Sequence, residues 1–191
     1  MIAAIVLTGG KSERMGRPKA LLRVSGRTFL EHILGAIRDA GIAETVIVVG
    51  HHRAEIQQAF PQLPLVFNPD YNQGMSTSVK AGLRSLPPGI SGVGIFLVDH
   101  PMIDATTITL LAGQLLPGHI VLPSHESRRG HPVFLATDLF AEVLALAPDE
   151  GLNNVVRIDP ERVIAVPVSN PGVLQDIDTP EQFENLLRET R

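Results

Sequence analysis

Short apolar runs rich in β-branched residues punctuate the chain at residues 2–7, 45–49, 65–67, 93–98, 120–122 and 163–166. Several are continuously apolar rather than alternating, the pattern of strands covered on both faces in a mostly parallel sheet. Helical periodicity fills the intervals. Thr28 with Glu31 reads as a capping box, after which Leu30, Ile33, Leu34 and Ile37 share one apolar face up to Gly41. A helix from Ser76 to Leu86 is expected to be capped by Ser76 or Thr77 and stopped by Pro87-Pro88, because proline cannot continue a helix. Residues 105–116 carry Ile108, Leu111 and Leu115 at helical spacing. Thr179, Pro180 and Gln182 open a last helix, with Phe183, Leu186 and Leu187 on its buried stripe. This alternation predicts an α/β fold of three layers, a mostly parallel sheet with helices on both faces. No internal repeat, low-complexity tract or long linker divides the chain, so residues 1–191 are expected to form one domain.

Composition narrows the function by exclusion. With 44% hydrophobic and 19% charged residues the chain belongs with compact folded domains, not disordered ones. A net charge of −4 disfavours a polynucleotide partner, and a lone tyrosine (Tyr71) with no tryptophan offers no stacking platform for single strands. The absence of cysteine excludes disulfides, thiolate metal sites and cysteine nucleophiles. The apolar start lacks a basic flank and is too short for a signal-peptide core or a membrane span. The cytoplasm is therefore the expected location, with no membrane partner.

In open α/β sheets ligands bind beyond the carboxyl ends of strands, so polar residues are best read by the strand end they follow. After the first strand comes Leu7-Thr8-Gly9-Gly10-Lys11-Ser12-Glu13-Arg14-Met15-Gly16-Arg17-Pro18-Lys19. Paired glycines let backbone N–H groups approach phosphate oxygens, and four cations in nine positions suit a triphosphate. The plainer reading is an ordinary strand-to-helix loop with solvated side chains. The order matches neither the dinucleotide fingerprint nor the Walker A loop. Asn68-Pro69-Asp70-Tyr71-Asn72-Gln73-Gly74-Met75-Ser76-Thr77-Ser78 reads as a turn entering a helix. Asp99, at the mouth of a buried strand, is either a Mg²⁺ ligand or a helix cap. Asp176 and Asp178 precede the last helix, where acids also favour the helix dipole. Arg128-Arg129-Gly130-His131-Pro132 is either a phosphate-binding segment or a hairpin turn with exposed arginines. His51-His52 follows the second strand, and neighbouring histidines in such a loop seldom point to one metal.

The ordered pattern Gly-Gly-x-Ser-x-Arg-Met-Gly-x-Pro-Lys resembles the signature loop of the nucleotidyltransferase superfamily. Gly74-Met75-Ser76-x-Ser78 and Gly130-His131-Pro132 resemble the MocA-type molybdenum cofactor cytidylyltransferase branch of the MobA-like family. Asp99-x-Pro101 and Asp176-x-Asp178-Thr179-Pro180 resemble the superfamily's two acidic motifs. The resemblance implies a nucleotide-diphospho-sugar-transferase-like, Rossmann-type fold. It implies transfer of CMP from CTP to a phosphorylated acceptor, molybdopterin, with release of pyrophosphate. Guanylyl transfer from GTP and sugar-1-phosphate nucleotidyl transfer are the nearest alternatives, since Gly9-Gly10 is more typical of the guanylyl type. A nicotinamide-dependent oxidoreductase on this fold is the rival from another class, and an assembly partner for a molybdoenzyme or its chaperone is a third. The implied site comprises Lys19 and Arg14 as catalytic cations, with Leu7, Thr8, Gly9, Gly10, Lys11, Ser12, Gly74, Met75, Ser76 and Asp99 at the nucleotide. Arg129, Gly130, His131 and Pro132 face the acceptor, and Asp99 with Asp178 (Asp176 as fallback) holds Mg²⁺. His100 departs from the glutamine or methionine expected in its motif.

Overall fold

A computed structural model describes residues 1–190. The central strand β1 (Ile2–Leu7) pairs in parallel with β4 (Glu44–Val49) on one side and β6 (Gly92–Leu97) on the other. Its alternate residues enter different cores, as the period of two requires. Ala4 and Val6 pack on one face, and Ala3, Ile5 and Leu7 on the other. A short hairpin of β2 (Arg23–Val24) and β3 (Arg27–Thr28) leads into α1 (Phe29–Asp39). Beyond β4, helix α2 (Arg53–Ala59) crosses to the edge strand β5 (Leu65–Phe67). Helix α3 (Met75–Arg84) then returns the chain to β6.

The other half holds α4 (Ala105–Gly113), β7 (Ile120–His125), β8 (Arg128–Arg129) and β9 (Val133–Ala136). Helices α5 (Phe140–Ala145) and α6 (Leu152–Ile158), strand β10 (Val163–Pro167) and helix α7 (Pro180–Glu189) follow. Side chains of α1, α2, α4 and α7 fill the core on one face, and those of α3, α5 and α6 the core on the other. The expected three layers are present.

Strand order is β10-β7-β9-β6-β1-β4-β5. From β1 the chain moves outward through β4 to β5, and from β6 it moves the opposite way. The order therefore reverses between β1 and β6, which opens a crevice beyond Leu7 and Leu97.

Both predicted capping boxes form, at Thr28 with Glu31 and at Thr179 with Gln182. Three expectations need correction. Helix α3 begins one residue early, so its N-cap is Gly74 and neither Ser76 nor Thr77 caps it. Gly74 sits at φ 136°, and any side chain there would meet the Pro148 carbonyl. The helix predicted over residues 105–116 ends at Gly113, and Asp104 caps it by accepting from Thr107 N–H. The expected strands did not include β9, which runs antiparallel between β6 and β7, where its four apolar residues are all buried. The arginines just before it do lie on a hairpin, exposed on β8 after a turn through Glu126 and Ser127 at positive φ.

Phe134 of β9 is fully buried, edge-on to Phe96 with ring centroids 6.0 Å apart. Phe134→Ala is expected to cost about 3–5 kcal/mol, the usual range for truncating a buried aromatic ring, measured by urea denaturation.

Candidate functional site

The crevice widens into a cleft of about 510 Å³, a size that holds a small-molecule ligand. Residues 7–14 form one wall, and Leu97, Val98 and Asp99 continue from the neighbouring strand end. A Cβ at Gly9 would stand 3.1 Å from the Ser78 hydroxyl, a contact tight enough that Ser78 would have to shift. Ser12 takes a left-handed conformation at φ 52°, and its carbonyl accepts from both Met15 and Gly16 N–H. Among the described residues, none of the backbone N–H groups of residues 9–14 meets a protein acceptor. Successive unpaired amides on such a turn make an anion-binding concavity.

Across the cleft, Lys19 stands between two carboxylates. Its Nζ donates to Asp99 Oδ2 at 3.3 Å and to Asp178 Oδ1, while Arg14 donates to the second oxygen of Asp178. Asp99 Oδ1 also accepts from His100 Nδ1 at 2.9 Å. Burial raises the Asp99 carboxyl, but the His100 hydrogen bond and the Lys19 charge outweigh it and leave its pKa below the usual range. The Lys19 hydrogen bond lowers Asp178, against a smaller opposing effect of burial, and the Lys19 and Arg14 charges add to the lowering. Asp178 is presented by the cap of α7: Gln182 Oε1 accepts from the N–H groups of Asp178 and Thr179 at 2.8 and 2.9 Å. Asp176, the fallback metal ligand, is exposed and does not line the cleft.

The other expected residues divide. Leu7, Thr8, Gly9, Gly10, Lys11, Ser12, Arg14, Lys19, Gly74, Met75, Asp99 and Asp178 all line the one cleft. Ser76, expected at the nucleotide, does not. It is buried, and its hydroxyl donates to the carbonyls of Ala147 and Pro148, tying α3 to the segment between α5 and α6. Ser78, one helical step further, reaches the cleft instead and is held by Asn68 Nδ2 at 2.9 Å. Arg17 lies over the Phe183 ring at 5.4 Å, outside the cleft wall.

The residues expected at the acceptor, Arg129 to Pro132, do not line the cleft either. His131 connects with it indirectly: its ring lies 5.2 Å from that of His100, beside Asp99. Burial, with help from the His100 charge, pushes His131 down to about 4, so it is neutral at pH 7. His52, weighed in the sequence only as a metal ligand, Tyr71, weighed only as a stacking residue, and Ile56, not singled out, also line the cleft. Their signal was position, in the segments that follow β4 and β5.

A mostly parallel sheet with free amides and clustered cations facing paired acids at its switch point defines an α/β protein with a cleft suited to a small anion. The chain belongs to the MobA-like NTP transferase domain family, whose pattern matches residues 4–164. It is 30% identical over 197 residues to nicotine blue oxidoreductase of Paenarthrobacter nicotinovorans, covering 97% of this chain and 96% of that protein. It is 26% identical to the molybdenum cofactor cytidylyltransferase of Escherichia coli, over 95% of this chain and 93% of the relative. A solved nucleotidyl transferase from Methanothermobacter shares the fold with a TM-score of 0.84 at 24% identity, over 99% of both chains. No helix among the described residues is long and apolar enough to cross a membrane.

The lowered pKa of Asp178 fixes a pH dependence. A carboxylate whose pKa is depressed on folding stabilises the fold above its unfolded value, and that contribution is lost as pH falls through the folded value. Lys19→Met removes the partner and leaves two acids facing each other. In urea denaturation the variant is expected to be less stable than wild type at pH 7, with the gap narrowing below about pH 5 as the acids protonate.

Proposed function

We propose that this member of a nucleotidyltransferase family transfers CMP from CTP to a phosphorylated pterin, molybdopterin, and releases pyrophosphate. The observation that carries this reading is the convergence of Lys19, Asp99 and Asp178 opposite a loop of unpaired amides. An acceptor phosphate oxygen would attack the α-phosphorus in line, forming a new P–O bond. The bond to the β-phosphate breaks, and pyrophosphate leaves with the electron pair. A phosphate nucleophile is already ionised at neutral pH, so no general base is required. Catalysis then rests on positioning and charge stabilisation.

Lys19 and Arg14 are held by carboxylates. An entering triphosphate offers these cations better-matched anions, so they can neutralise the pentavalent transition state and the leaving pyrophosphate. Asp99 and Asp178 already bring their oxygens to one cation, an all-oxygen donor pair that fits Mg²⁺ shared with phosphate oxygens. Bound there, the ion would supply further charge neutralisation at the α-phosphate. We assign the His100–His131 pair to the acceptor, because it adjoins Asp99 through His100, and Arg129 because it lies two residues before His131 in the chain.

A reductase using a nicotinamide cofactor is the second reading, favoured by the full-length similarity to nicotine blue oxidoreductase. Thermal unfolding with CTP, GTP, UTP or NADPH, each with and without Mg²⁺, separates the two. Magnesium-dependent stabilisation by CTP is expected, about 2.7 kcal/mol at a hundredfold excess over Kd. A shift with GTP instead would reassign the base, and a shift with NADPH alone would overturn nucleotidyl transfer. Lys19→Ala is expected to slow pyrophosphate release at least about 100-fold, as does loss of one preorganised donor elsewhere, and Asp99→Ala likewise. Near-normal turnover in either variant would remove that residue from the mechanism.

A further inference from the structure

The loop after β1 can bind phosphate through its amides only if its carbonyl oxygens are kept away from the anion. Two of them are tied toward the end of β4. Gly9 C=O accepts from His51 N–H at 3.3 Å, and Lys11 C=O lies 2.9 Å from His52 Nε2. A carbonyl has no proton to give, so Nε2 is the donor. The Glu55 carboxylate packs against the other side of the ring, 3.1 Å from Nδ1. Gly50 completes the arrangement. A Cβ there would stand 2.6 Å from the Gly9 oxygen, so only glycine lets that carbonyl tuck in.

A trans peptide unit is planar, and its C=O and the following N–H point to opposite sides. Tying back the oxygens of Gly9 and Lys11 therefore turns the N–H groups of Gly10 and Ser12 away from the β4 end. Both residues line the cleft, and among the described residues neither N–H has a protein acceptor. His52 itself lines the cleft, with only 13% of its side chain exposed.

We propose that His52 is a positioning residue for the triphosphate: its Nε2–H holds the Lys11 carbonyl back so that amides, and not oxygens, face the phosphate chain. The inference rests on a nucleoside triphosphate binding at this loop. Without that hydrogen bond the Lys11–Ser12 peptide can rotate, which withdraws a donor and brings an oxygen lone pair toward the phosphates. The effect should fall on the β- and γ-phosphates and spare the nucleoside.

The test is calorimetric titration of the full chain with CTP, GTP, CMP and inorganic pyrophosphate, for wild type, His52→Ala, His52→Gln and Glu55→Ala. His52→Ala is expected to weaken CTP and pyrophosphate about tenfold, the loss of one hydrogen bond, with CMP within about twofold of wild type. His52→Gln places an amide N–H close to the position of Nε2 and is expected to recover most of the affinity. Glu55→Ala, which frees the ring, should give a smaller loss on the same two ligands. Unchanged CTP and pyrophosphate binding in His52→Ala would overturn the proposal, as would an equal loss for CMP or no recovery with glutamine. If wild type bound neither CTP, GTP nor pyrophosphate, the nucleotidyltransferase reading would fall and take this inference with it.

Discussion

One ammonium group shared by two carboxylates ties together the parts of the chain that make the cleft. Lys19 comes from the segment after β1, Asp99 from the end of β6, and Asp178 from the cap of α7. Each charge would be costly to bury without its partners, and only Asp99, beside His100, has one near it in sequence. The cluster is therefore satisfied only when the central strands are in register and α7 is docked against the first core. It also constrains any ligand. A polyanion entering the cleft must exchange with the carboxylates for the cations, which leaves acidic oxygens in want of a positive charge.

The fold was largely legible because the strands are covered on both faces and so read as unbroken apolar runs. Residues 2–7 and 120–122 stand out for that reason. β9 did not, since four apolar residues behind Gly130 and Pro132 look the same whether they form a strand or the end of a loop. The two capping boxes were readable because their bonds span only three residues. Ser76 shows where local reasoning stops. A serine near a helix start suggests a cap or a ligand contact, but its hydroxyl is taken by carbonyls more than 70 residues away in the chain. The same holds for Arg17, whose distant partner Phe183 removes it from the set of cleft cations.

The relatives frame what the scaffold does and does not determine. One named for oxidoreduction and one named for cytidylyl transfer both align along nearly the whole chain. A crevice lined by backbone amides recognises phosphate in any nucleotide and says little about the chemistry at its far end. That chemistry depends on side chains at the rim, and here the rim carries Lys19 with its two acids, with the His100–His131 pair behind Asp99 and outside the cleft lining.

The contact between Arg14 and Asp178 spans 164 residues of sequence. Lys11 finds Glu13 two residues away and Lys19 finds Asp99 at the end of β6, but Arg14 meets no carboxylate until the chain has passed α6 and β10 and reached the cap of α7. The last helix is therefore a part of the cleft and not an accessory to it, since without Asp178 Arg14 would lose its partner and Lys19 would keep Asp99 alone.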